Sequence, residues 1–518
     1  MCIIVQRLRP QRGQLQHCGR LIVVAGHVGA GGTGLSPGVR GNSPVISKRR
    51  DDMLQQAFRH ILTLRKFYPA IILFALFVST EPNQAATPVQ SLVLESLDIA
   101  RVESGFPVGF CLLTQNNRQF VAYYDAKHAL TVATRTLDSD RWEYQTLPSK
   151  VGWDSHNYIA MALDEGGHIH LSGNMHATPL DYFRTSKPWD IKSFERIPRM
   201  TGNNEGSTTY PKFLRGADGR LIFHYRTGAS GNGNELYNVY DAGTKTWQRL
   251  LGKTLTDGRG KRNAYAKGPF QGPDGLFHLA WVWRDSADCS TNYDPSYARS
   301  RDLIRWETVD GKPVPLPITI DSKETLIARV PVNSGLINGC LAIGFDHDKQ
   351  AVATYHRFDS DGKTQVYAAR FDHGQWASRQ ITHWDYRWEF EGNGSIPFQI
   401  TLGSIRIHGP GKLALPYEHI RYGKGLLVID EKTFEPMGTE PEIPDYPAEL
   451  GKPESCFPGM TVNWSADEGK SGDSGFRYVL RWETLPANRD KRPVGSLPEP
   501  STLRVYKLRN KPNENIDS

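Results

Sequence analysis

Long apolar runs, clustered cysteines and helical periodicity are all scarce in this chain, and each scarcity excludes something. Only 6 of the 518 residues are Cys. The four beyond residue 86 (Cys111, Cys289, Cys340 and Cys456) are widely spaced, which fits neither a CxxC zinc pattern nor a disulfide framework. The longest apolar run, about Phe67 to Val78, is too short to span a bilayer comfortably. Outside that region no stretch shows the 3.6-residue period of an amphipathic helix. A basic surplus is absent as well, although the formal net charge is +7. Residues 1–86 hold 11 Lys or Arg against 3 Asp or Glu, which leaves 51 basic and 52 acidic residues in the remainder. The main body therefore lacks the electrostatic footprint of a nucleic-acid-binding protein. An acidic ligand has to be held by a few placed cations.

The segment from Met53 has Arg59, Arg65 and Lys66, then the apolar run, then Ala85-Ala86. This is the order of a secretory signal peptide, so residues 53–86 are expected to be removed and the protein secreted or periplasmic, with no membrane association afterwards. Residues 1–52 are Gly- and Arg-rich without a period and read as a non-native or disordered leader. Residues 87–518 are expected to form a single domain.

What is abundant points to short strands: 12 Trp, 21 Tyr and 49 Gly. A unit recurs, made of an apolar strand, a Gly turn, a second strand, a longer connection and a strand ending near an aromatic. Its copies end at Trp142, Phe194, Trp247, Trp306, Trp376 and Phe434, with a last copy in 456–485. Spacings of this size suit four-stranded blades. The fold class expected is all-β, a seven-bladed β-propeller. Ser300-Arg301-Asp302 before Trp306 has the form of an Asp-box turn, which is structural.

Comparison of copies locates a candidate site. Gly167-HIHLSGNM-His176 and Gly275-LFHLAWVW-Arg284 place His176 and Arg284 at one offset, with Arg226 near it. His156, Tyr210 and Tyr265 lie on the segments preceding these blades. Two opposed carboxylates, as a glycosidase requires, do not occur at these offsets. Arginine suits a carboxylate because its planar fork binds both oxygens, and His or Tyr can move protons. That inventory matches β-elimination across a uronic acid.

WDSHNYIAMALDEGGHIHLSGNMHATPLDYFR, followed by STTYPKF and HYRTG, resembles the propeller-type ulvan lyases, from about Leu94 to Lys507. The resemblance implies a secreted polysaccharide lyase acting on a uronate-containing, sulfated, ulvan-like glycan. It implies catalytic roles for His156, Tyr210 and Arg226, and substrate binding by His176, Tyr265 and Arg284. No cofactor is expected for the chemistry. A structural zinc is implied, with His278 and Cys289 as ligands and His224 or His356 as further ones; Tyr293 stands where another His would complete the set. Two alternatives remain open: a sialidase-like propeller glycoside hydrolase, and a non-catalytic propeller that binds acidic glycans.

Overall fold

Burial along the strands follows the apolar pattern closely. Phe277–Arg284 reads FHLAWVWR and is buried at all eight positions, as in a strand covered on both faces. Leu221–Ala229 and Ala351–Phe358 are buried over their first six residues. By contrast, Glu143–Lys150 is mostly exposed and Pro436–Glu440 wholly so. The computed structural model describes residues 92–469 and 475–510. Within them lie 31 strands and four short 3-10 turns. No helix among the described residues is long and apolar enough to cross a membrane. The chain from Ser91 onward forms one compact unit, and the expectations for residues 1–52 and 53–86 fall outside the described residues.

The strands described assemble into seven antiparallel sheets. In six, the strands succeed one another in chain order, as in Cys111–Gln115, Arg118–Tyr124, Ala129–Thr136 and Glu143–Lys150. First strands of successive sheets pack together: Cys111–Gln115 meets Ala160–Leu163, which meets Thr208–Arg215. The seventh sheet is different. Thr461–Ala466, Phe476–Thr484 and Ser501–Arg509 are completed by Val93–Val102 from the other end of the chain. Val102 faces Ser501 and Val93 faces Leu508. The last copy in the sequence is therefore incomplete by itself, and Thr461–Ala466 packs on Cys111–Gln115 of the first sheet.

The recurring aromatics mark the fourth strands. Phe194 and Trp306 open Phe194–Arg196 and Trp306–Glu307; Trp247 and Trp376 lie within Thr246–Arg249 and Gln375–Gln380. Trp142 and Phe434 stand just before Glu143–Lys150 and Pro436–Glu440. The Asp-box turn is also present. Asp302 Oδ1 accepts from the backbone N–H groups of Ile304 (2.9 Å) and Arg305 (2.8 Å), and Ser300 Oγ donates to the Arg305 carbonyl (2.7 Å).

Two consecutive sheets present their tyrosines and arginines at one end. Thr209 pairs with Arg226 in the first, and Asn263 pairs with Arg284 in the second. His176 departs from the expected offset. The strand before it ends at Ser172, and His176 opens a short strand, His176–Thr178, that joins the next sheet opposite Thr209. Left-handed backbone at Asn174 (φ 55°) and Ala177 (φ 55°) makes that crossing.

Candidate active site

Tyr210 sits where the pairing of Thr208–Arg215 with Leu221–Ala229 slips between Thr209 and Lys212. Such a bulge re-aims a side chain out of strict alternation. Tyr210 has φ 60°, a left-handed conformation that costs a bulky residue about 1–2 kcal/mol. Pro211 follows and has no N–H to contribute to the ladder. The strain is held by the surrounding sheet, and the phenol reaches a cavity.

Beneath it lies Arg226, only 1% exposed. Its Cζ stands 4.8 Å from the ring centre of Tyr210 and 5.5 Å from that of Tyr265. Nη2 donates to Thr209 Oγ1 at 3.2 Å, whereas the buried Nε and Nη1 meet no hydrogen-bond acceptor among the described residues. Arg284, at the end of the next sheet's second strand, is 7% exposed. Its Nε donates to Asn292 Oδ1 (2.9 Å), Nη1 to the Tyr265 hydroxyl (3.0 Å) and Nη2 to Asn338 Oδ1 (2.8 Å). Ser230 Oγ also lies 2.5 Å from that hydroxyl. Neither guanidinium forms an ion pair with a carboxylate among the described residues. Two such buried cations make a site for an anion.

The histidines form the opposite group. Asp154 Oδ1 accepts from the His156 backbone N–H (2.9 Å) and contacts His156 Nδ1 (2.9 Å); its other oxygen contacts His176 Nδ1. The two rings stack with centroids 4.2 Å apart. Asp490 Oδ1 lies 3.3 Å from His156 Nδ1, and its Oδ2 accepts from the Ser395 N–H at 3.1 Å. The His156 and Tyr210 rings are 6.1 Å apart. His156, His176, Tyr210, Tyr265, Arg284 and Asp490 line one cavity of ≈ 350 Å³, shared with Ser230, Asn338 and Cys289.

The electrostatics separate the two phenols. Burial pushes Tyr210 up to about 12, with the Arg226 charge working against it. Burial also acts on Tyr265, but the charges of Arg284 and Arg226 and the Ser230 hydrogen bond outweigh it and lower its pKa below the usual 10. Burial disfavours the charged form of His156, yet the contacts with Asp154 and Asp490 raise it to about 9. The same contacts hold Asp154 well below the usual carboxylate range, against its own desolvation.

The structure thus gathers His156, His176, Tyr210, Arg226, Tyr265 and Arg284, with Arg226 under the tyrosines. The sequence reading missed Asp154, Ser230, Asn338 and Asp490. Asp154 stands inside the WDSHNY motif and was legible there as an Asx partner two residues before His156. Asp490 was not: Arg489–Arg492 reads as a solvated basic loop, yet it delivers a carboxylate to the site. An acidic pair does exist, then, but both members are engaged by imidazoles.

The implied zinc ligands do not come together. His278 is held by Tyr297 (Nδ1, 2.6 Å) and Asp274 (Nε2, 2.9 Å), six residues and about 20 Å along the strand from Arg284. Cys289 lies at the cavity, near Arg284. His224 is bound to Glu235, and His356 is buried against Trp388 and Phe390. Zinc held by His278 and Cys289 does not fit this arrangement. Among the described residues, the group that places three or more metal-binding side chains together is Asp154, His156, His176 and Asp490. A larger cavity of ≈ 960 Å³, walled by Phe110, Tyr158, Met161, Lys212, Phe213 and Glu468, is lined by no histidine.

Comparison with known proteins gives consistent relatives. The family described as "BNR repeat-containing family member" matches residues 118–384, just over half of the chain. An ulvan lyase, short isoform, from Alteromonas sp. (strain LOR) is 30% identical over 142 residues, covering 25% of this chain and 27% of its own length. An ulvan lyase, long isoform, from Pseudoalteromonas sp. (strain PLSV) is 28% identical over 153 residues, covering 22% of this chain and 15% of its own. The chain therefore spans about a quarter or less of these relatives. Among solved structures, the polysaccharide lyase Uly1 superposes with TM-score 0.54 at 14% identity, over 81% of this chain and 100% of that one. A second solved ulvan lyase superposes with TM-score 0.52 at 13% identity, over 80% and 96%, and has also been solved bound to -[GlcA(1-4)Rha3S]-. These likenesses establish the fold.

Proposed function

The chain belongs to the BNR repeat-containing family, and from that premise we propose that it is a polysaccharide lyase cleaving a uronate-containing, ulvan-like glycan by β-elimination. The observation that carries this reading is the pair of buried guanidiniums, Arg226 and Arg284, that have no carboxylate partner among the described residues and flank two phenols. A uronate carboxylate supplies the missing anion, and the guanidiniums stabilise the charge that develops on it when the adjacent proton leaves. The relatives named as ulvan lyases, one of them bound to a glucuronate–sulfated rhamnose unit, support this substrate class.

The phenols divide the proton work. Tyr265, with its pKa lowered by two guanidiniums, takes the proton beside the carboxylate. Tyr210 keeps its proton because of burial and donates it to the departing glycosidic oxygen. The C–O bond breaks, and the new sugar end carries a double bond conjugated with the carboxylate. This revises the expectation for His156: its Nδ1 is engaged by Asp154 and Asp490, which leaves the phenols as the better placed acid and base.

We read the seven sheets as blades of one closed ring, joined by the pairing of Val93–Val102 with Ser501–Arg509. The leader-like segment at residues 53–86 supports action outside the cytoplasm. Mass analysis of the products tests the reaction. Elimination leaves the fragment that carries the new unsaturated end one water lighter than hydrolysis does, and a product set entirely of hydrolytic mass overturns the proposal.

A further inference from the structure

Asp154, His156, His176 and Asp490 come from three separate segments and place four ligand atoms within 4.8 Å of one another. Both rings aim the same nitrogen, Nδ1, at the Asp154 carboxylate. A second carboxylate, Asp490, reaches the His156 Nδ1 that Asp154 already contacts. One N–H cannot point straight at two acceptors on different residues. Nor do protons alone balance the group well. Two carboxylates need two positive charges, and two imidazolium rings stacked 4.2 Å apart repel one another.

We propose that Asp154, His156, His176 and Asp490 bind one divalent first-row metal ion, zinc by preference, through Nδ1 of each ring and one oxygen of each carboxylate. A divalent ion balances two carboxylates while both rings stay neutral, with their Nδ1 lone pairs directed at a common centre. Zinc takes imidazole nitrogen and carboxylate oxygen at about 2.0–2.2 Å, so tetrahedral ligand atoms stand roughly 3.4 Å apart. The present separations run from contact to 4.8 Å, and small side-chain rotations span the difference. The supporting contacts are those a metal ligand needs. Asp154 Oδ1 accepts the His156 N–H at 2.9 Å, and Asp490 Oδ2 accepts the Ser395 N–H at 3.1 Å. All four residues are only part-buried, so an ion can enter. Three of them line the cavity with the tyrosines, where an anionic group of a glycan is a natural further ligand. The site differs from the His278 and Cys289 pairing, and it stands whether or not the chain is a lyase.

The test needs no substrate. The full chain is stripped with chelator, dialysed, and titrated with Co²⁺ while the visible d–d absorption is followed, then with Zn²⁺ by calorimetry. The expected result is one equivalent bound per chain at micromolar affinity or tighter. Binding should weaken at least 100-fold in His176→Ala and in Asp490→Asn, and persist in Cys289→Ser and His278→Gln. The two site variants lie on different segments, so either one decides the matter if the other fails to fold. Absence of binding up to millimolar Co²⁺ and Zn²⁺ overturns the proposal. So does a single site that survives both site substitutions.

Discussion

The Arg284 guanidinium lies 3.9 Å from the ring centre of Tyr265 and donates from Nη1 to its hydroxyl at 3.0 Å. Stacking and hydrogen bonding by one side chain both favour the phenolate, which makes this pair the most direct route to a base in the cavity.

Tyr265→Phe removes the oxygen that accepts the proton while keeping the ring that Arg284 covers. The expected loss in kcat/KM is roughly 10²- to 10⁴-fold. Arg284→Lys keeps the charge but loses the planar fork held by Asn292 and Asn338, and it should cost activity on a similar scale. Steady-state kinetics on a uronate polymer measure both.

The pH profile should report the same group. A base works deprotonated, so activity should climb with pH on a limb whose midpoint lies below 10, because the Tyr265 pKa is lowered from that value. Arg284→Gln removes the first of the charges that lower it, so the limb should move to higher pH. A limb that stays in place assigns the base elsewhere.

Stability should fall on mild acidification because of buried histidines outside the site. Burial holds His170 and His356 at about 4. In the unfolded chain each titrates near 6.5, so between about 6.5 and 4 the unfolded state binds more protons and stability drops as pH falls. Each group contributes up to roughly 3 kcal/mol. His356→Leu, at a ring buried against Trp388 and Phe390, should flatten the fall in thermal midpoint between pH 7 and pH 5.

The pairing of the chain's two ends should matter more for stability than any loop. A chain starting after Val102 loses the fourth strand of the seventh sheet and exposes the edge of Ser501–Arg509. It should unfold at markedly lower temperature or aggregate.

Asp302→Ala separates fold from chemistry. It removes the carboxylate that accepts two backbone N–H groups in the Asp-box turn, and should lower stability by about 1–2 kcal/mol with kcat unchanged.

Local features were legible in the sequence, and distant ones were not. Aromatics ending each repeat located the fourth strands because in six of the sheets the strands follow one another in chain order. His156, Tyr210, Arg226, Tyr265 and Arg284 were found because a repeating sheet brings matching offsets to one end. The seventh sheet was hard to delimit because its fourth strand, Val93–Val102, lies at the far end of the chain. Asp490 lies 335 residues beyond Ser155, its hydrogen-bond partner, and nothing in the local pattern at Arg489–Arg492 announces it. His278 and Cys289 misled for the opposite reason. They are close in sequence, but an extended strand carries them to different places.

The central claim is elimination at the arginine–tyrosine cavity, and one time course tests it most directly. Protein is added to ulvan while ultraviolet absorbance is followed and reducing ends are counted in parallel. Absorbance of a conjugated, unsaturated uronate that rises in step with new reducing ends, and is lost in Tyr265→Phe, is the outcome this account predicts. New reducing ends at constant absorbance contradict it and assign the cavity to hydrolysis. Neither signal, with ulvan bound, makes the same cavity a binding site without turnover.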